Sequence, residues 1–73
     1  MYYRYAVATQ DELKERHFKT KRRAIEYAQG VTIDQKIGTT VYMQRVYPDT
    51  GMVDIILSVC YWWDDGFQYQ KLS

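Results

Sequence analysis

The residues able to do covalent or proton-transfer chemistry are few and scattered. His17 is the one histidine and Cys60 the one cysteine, which leaves little from which to build a nucleophile and its base. His17 reads as a surface strand residue and Cys60 as ordinary sheet packing. Asp64 and Asp65 could act as paired carboxylates for acid–base work or a metal, but they precede Gly66, and Asp-Asp-Gly is what a tight turn asks for. Gly30, Gly38, Gly51 and Gly66 are isolated. No glycine-rich phosphate loop forms, and each glycine has a helix-cap or turn explanation. Catalytic, cofactor and metal residues are therefore expected to be none, and an enzyme is the least expected class.

Two groups could do binding chemistry instead. Lys19, Lys21, Arg22 and Arg23 form the densest basic cluster, at the start of a helix whose free N–H groups also favour anions; they could hold a phosphate backbone, or simply be a solvated helix face. Arg45, Tyr47, Trp62, Phe67 and Tyr69 form an aromatic group with one cation. Such residues anchor protein interfaces, where Tyr, Trp and Arg are enriched, or stack on bases, or pack plainly on a sheet.

The elements that must position these groups follow from local chemistry. Thr20 is placed to cap a helix, with Ala24, Ile25 and Ala28 on one stripe and Gly30 as a left-handed stop, so a helix is expected over about Lys21 to Gln29. Tyr2 to Thr9 reads as a strand, with Tyr3, Tyr5 and Val7 on one face and Tyr2, Arg4 and Ala6 on the other. Gln10 to Phe18 suits either a helix or the second strand of a hairpin turned at Gln10-Asp11-Glu12. The hairpin is favoured, because it delivers Phe18 to the core and Thr20 to the cap without an extra break. Val31 to Gly38 reads as an ordered connection.

Thr39 to Tyr47, Met52 to Asp64 and Phe67 to Leu72 read as three strands of a meander. Pro48 and Gly51 mark a type I turn, and Asp65-Gly66 fits a two-residue type I′ turn. Tyr47 opposite Met52 puts Arg45 opposite Asp54, Met43 opposite Ile56 and Tyr42 opposite Leu57; Asp64 opposite Phe67 puts Trp62 opposite Tyr69. Val53, Ile55, Leu57, Val59, Tyr61 and Trp63 then form one apolar row meeting the helix. Met43, Arg45, Tyr47, Phe67 and Tyr69 join Asp54, Ile56, Ser58, Cys60, Trp62 and Asp64 on the open face. The expected class is α+β, with order β-β-α-β-β-β: a curved antiparallel sheet with one helix packed on one face, in a single domain over residues 1–73.

Composition agrees with a folded chain of modest core. Seventy-three residues bury a limited share of their surface, and 47% hydrophobic with 26% charged residues is far from disorder. Eight tyrosines suit half-buried surfaces, where the ring packs and the hydroxyl stays wet. The net charge of +1 excludes strong long-range steering towards nucleic acid. Residues 1–30 carry seven Lys/Arg against four Asp/Glu, and residues 31–73 three against five, so the second half would repel a phosphate backbone. The lone Cys60, the absence of an apolar leader and an apolar-rich run of only nine residues, Ile55 to Trp63, fit a cytoplasmic chain without a membrane segment.

Residues Phe18-Lys19-Thr20-Lys21-Arg22-Arg23-Ala24-Ile25-Glu26-Tyr27-Ala28 resemble the phrase F-x-T-K-x-x-A-x-x-Y/W. That phrase recurs in the β-β-α start of small phage-encoded accessory proteins and in the arm-type DNA-binding domain of tyrosine integrases. The first resemblance implies a protein that binds and blocks a larger host protein, including components of antiviral defence. The leading expectation is a non-catalytic protein-binding module of that phage inhibitor type, contacting its partner through Arg45, Tyr47, Trp62, Phe67 and Tyr69. The alternative is a small nucleic-acid binder using Lys19, Lys21, Arg22 and Arg23 with sheet aromatics, and a third reading is self-association into a homodimer through the open face.

Overall fold

The structure is a computed structural model, and it describes residues 1–10 and 15–72. The elements are β1 (Tyr2–Thr9), β2 (Arg16–Phe18), α1 (Lys21–Gln35), β3 (Thr39–Tyr47), β4 (Met52–Trp63) and β5 (Phe67–Lys71). They form one open antiparallel sheet of order β2-β1-β3-β4-β5 with α1 packed on one face, as the α+β reading expects. Arg16–Phe18 pairs with Tyr5–Val7, so the strand reading of this stretch holds there; the expected turn residues Asp11 and Glu12 lie outside the described residues.

Thr20 caps α1 as expected, its hydroxyl accepting from the Arg23 N–H at 3.4 Å. The expected stop at Gly30 is corrected: α1 runs on to Gln35 and ends on Lys36, which takes the left-handed conformation at φ 56°. The reason is tertiary. Ala24, Ala28 and Thr32 are the buried residues of the helix, so the extra turn and a half continues the buried stripe. Inside, the Thr39 hydroxyl donates to the Ala28 carbonyl at 3.2 Å; that proton being used, the Thr32 hydroxyl donates to Thr39 at 2.7 Å. These contacts offset the conformational cost of a glycine in mid-helix, about 1 kcal/mol relative to alanine.

The core lies between α1 and the sheet face that carries Val7, Val41 and Tyr61, with Tyr5, Phe18, Ile25, Tyr27, Val59 and Phe67 packed around it. The Tyr47–Gly51 turn forms as expected: the Thr50 and Gly51 N–H groups both donate to the Tyr47 carbonyl, at 3.3 and 2.8 Å, and Gly51 sits at φ 74°. Tyr47 opposes Met52 and Arg45 opposes Asp54.

Two expected registers are corrected. Gln44 pairs with Ile55 while Met43 pairs with Leu57, and Tyr42 with Ser58, so Ile56 is an extra residue, a β-bulge. A one-residue shift sends side chains to the other face: only Leu57, Val59, Tyr61 and Trp63 share the helix side, whereas Val53 and Ile55 turn away from it with Val46 and Gln44. In the last hairpin Trp63, not Asp64, opposes Phe67, and Tyr61 opposes Tyr69. The connection is a three-residue loop, Asp64 to Gly66, with positive φ at Asp65 and Gly66 and the Asp64 N–H bonded to the Gly66 carbonyl.

Candidate interaction surface at the end of the sheet

At about 1.5 Å per helical residue and 3.3 Å per strand residue, α1 spans about 22 Å and β4 about 40 Å, so the helix cannot cover the long hairpin. Its first turns lie over mid-sheet, where Lys21 and Ile25 border a small apolar cleft with Tyr5, Met43 and Leu57. Its far end lies by Trp63, where the Lys36 Nζ stands 5.8 Å from the ring centroid. Gln44–Tyr47 and Met52–Ile56 therefore project beyond α1.

That overhang exposes apolar side chains on both faces. Met52, Ile55, Val53 and Ile56 are 61, 58, 40 and 40% exposed, and Tyr2 and Tyr3 are exposed at the same end of β1. On the helix side Tyr3, Arg45, Tyr47, Met52 and Asp54 lie together by register. Arg45 Nη2 is 3.8 Å from Asp54 Oδ2, and its guanidinium lies 5.8 Å from the Tyr47 ring centroid. The buried Nε of Arg45 has no hydrogen-bond partner. This pair is half exposed and long, so it positions the two side chains more than it stabilises them. The side chains present here can bury apolar area and take hydrogen bonds at Arg45, Asp54 and the tyrosine hydroxyls.

The five expected anchors do not share one face. Arg45 and Tyr47 are on the overhang. Phe67 and Tyr69 lie on the helix side at the opposite end, around Tyr61: the Tyr61 and Phe67 rings stack at 5.4 Å, and Tyr61 and Tyr69 meet at 6.0 Å. Burial raises the Tyr61 pKa above the ordinary value of 10.0; Tyr69 adds to the shift and a hydrogen bond with Gln29 opposes it. Phe67 helps to close the core, whereas Tyr69 remains exposed. Trp62 is alone on the face away from the helix, opposite Gln68, beside a shallow depression of about 430 Å³ bordered by Ala8, Thr40, Tyr42 and Cys60. The Cys60 Sγ there is 3.3 Å from the Thr40 hydroxyl.

Lys19, Lys21, Arg22 and Arg23 are all exposed at the start of α1, and the first turn carries no acidic residue. Arg22 Nε donates to Glu26 at 3.1 Å. His17 is exposed, 3.2 Å from Glu15. No group of three His, Cys, Asp or Glu side chains that could hold a metal occurs among the described residues, and no helix among them is long and apolar enough to cross a membrane.

The residues missed by sequence reasoning are Met52, Val53, Ile55, Ile56, Tyr2 and Tyr3. A signal was available: the fourth strand was read at more than twice the length of the fifth, so about half of it had to lack a partner. Comparison with protein-family models, with curated proteins and with solved structures finds no match to this chain. The fold and its exposed residues define a small α+β module with an aromatic cluster on its sheet.

Proposed function

We propose that this chain is a non-catalytic protein-binding module whose contact surface is the overhanging end of β1, β3 and β4. The observation that supports this is the cluster of exposed apolar side chains at Met52, Val53, Ile55 and Ile56, flanked by Tyr2 and Tyr3. Large apolar groups concentrated at one end of a small chain mark interaction sites, and Arg45 and Tyr47 beside them are residue types that anchor interfaces. The finer reading, a phage-type inhibitor that occupies and blocks a host protein, rests on the resemblance of residues 18–28. Capture from host lysate by immobilised wild type, set against Ile55→Asp, tests the module: a protein held by the first and lost by the second supports it, and identical captures count against it.

One observation favours a second reading. Lys21 borders the cleft that holds Met43, and Arg45 is the next residue of β3 on that face, so the basic start of α1 opens onto a shelf with Tyr3, Arg45 and Tyr47. Phosphates on the cluster and bases on the two tyrosines would fit a single strand of nucleic acid. Oligonucleotide anisotropy tests this: binding that falls steeply with salt and is lost in Arg22→Glu/Arg23→Glu supports it. The aliphatic residues of the overhang have no role in that reading, which is why protein contact is preferred.

A further inference from the structure

The free edge of β4 is a separate feature from the faces of the overhang. β5 pairs with Val59–Trp63, and the last backbone bond along this edge runs from the Leu72 N–H to the Ser58 carbonyl at 2.8 Å. Residues 52–57 have β3 on one side and no strand on the other among the described residues. Folded proteins protect such edges with Lys, Pro or a covering segment, because outward N–H and C=O groups template the pairing of another strand. Here the edge carries neither Lys nor Pro. Its one charge, Asp54, is turned to Arg45 on β3. The bulge at Ile56 bends the strand but leaves Met52 to Ile55 regular.

We propose that this edge takes a second copy of the chain, β4 pairing antiparallel with β4 of its partner to join two five-stranded sheets into one of ten. The proposal rests on the protein-binding reading of the overhang and names its occupant. Two observations favour a second copy over an unrelated strand. The first is shape. Because β5 stops at Ser58, the edge is stepped, and an antiparallel copy of β4 lies end to end with β5; the same step on the partner receives the first copy, so the two notches fill each other under one two-fold axis. The second is charge. This arrangement brings the end of β5, with the exposed Lys71, towards the exposed Tyr47–Gly51 turn of the other copy, which carries Asp49.

Register follows from the remaining charge. Like charges directly opposite each other are destabilising, and the place opposite Ser58 is already taken by Leu72, so pairing centres on Val53, which meets its own copy, and the two Asp54 carboxylates stay apart. Val53 and Ile55 of both copies then bury one another on the face away from the helices.

Sedimentation across the micromolar range tests the assembly. The expected mass is twice the 8.8 kDa of one chain, falling by half in Ile55→Lys with the far-ultraviolet spectrum unchanged. Cysteine cross-linking tests the register. Opposed Cα atoms in antiparallel strands are about 4.5–5.5 Å apart, within disulfide reach, so Val53→Cys in a Cys60→Ser background should form a covalent dimer on oxidation. Ile56→Cys in the same background should not, because its two copies would stand about 20 Å apart along the strands. A wild type that stays at the mass of one chain, or a dimer that cross-links through Ile56→Cys and not Val53→Cys, overturns the proposal. A monomer that still captures a partner through Tyr3 and Tyr47 overturns the self-pairing alone. A dimer cross-linked through Val53→Cys that captures nothing supports the pairing and removes the hetero-partner.

Discussion

Arg4 Nε donates to Gln44 Oε1 at 2.8 Å across the β1–β3 pair, on the face of the sheet turned away from α1. Gln44 is only 4% exposed, and its amide also donates to Glu15 Oε2 at 3.3 Å. A buried amide bridging a cation and a carboxylate is satisfied at both ends, and removing it strands a charged donor. Gln44→Leu should therefore cost about 1–3 kcal/mol, lowering the melting temperature by at least about 4 °C for a domain of this size. Arg4→Met in the same molecule should recover part of that loss. Urea titration of the two single variants and the double closes the cycle; strictly additive losses would mean that the bridge is not the cause.

Gly30 lies inside α1, and a Cβ built there meets nothing within 4 Å. Gly30→Ala should stabilise the chain by about 0.5–1 kcal/mol, through reduced freedom of the unfolded state and better helix propensity. Thermal unfolding checks this, and a loss of stability would mean that the glycine serves a close approach at that position.

What could be read from the sequence was what local chemistry decides. Thr20 as a cap, Pro48 to Gly51 as a turn and the order of six elements each depend on a few neighbouring residues, and the Arg45–Asp54 pairing was right because it is counted outwards from that turn. Counting failed where a distant contact intervened. The bulge at Ile56 shifted every pair beyond it, so Val53 and Ile55, expected under the helix, stand exposed on the other face. Gly30 looked like a stop because nothing nearby shows that Thr32 will be held by Thr39. The candidate site was legible at Arg45 and Tyr47; its aliphatic part was hidden by the same bulge.

Tyr61 carries a pH dependence whose sign can be worked out. Burial favours its neutral phenol, and Tyr69 pushes the same way against the Gln29 hydrogen bond, so the folded-state pKa lies above the ordinary 10.0. A group raised on folding contributes stability that is fully present below its unfolded value and is lost as pH climbs through its folded value. The Tyr61 contribution to the melting temperature of wild type should thus be lost on the alkaline side of pH 10.0. Tyr61→Phe should show a smaller fall over the same range. Equal slopes in the two proteins would assign the alkaline loss to other tyrosines.

The final prediction separates the two faces of the sheet. Tyr47 and Arg45 lie on the overhang beside Met52 and Tyr3, whereas Trp62 lies on the opposite face, eight residues along β4 from the Asp54 that meets Arg45, or about 26 Å. One compact contact cannot use both groups centrally, and anchors at the centre of an interface carry most of its energy, about 2 kcal/mol or more each. Tyr47→Ala should therefore weaken binding of the captured partner by at least about tenfold, and Tyr3→Ala should weaken it in the same direction. Trp62→Ala should leave it unchanged. Surface plasmon resonance on the three variants, each first shown to melt as wild type does, decides the matter. A loss at Trp62 with none at Tyr47 would move the contact to the depression beside Thr40, Tyr42 and Cys60, and the exposed aliphatic residues of β4 would then serve only the pairing of one copy with another.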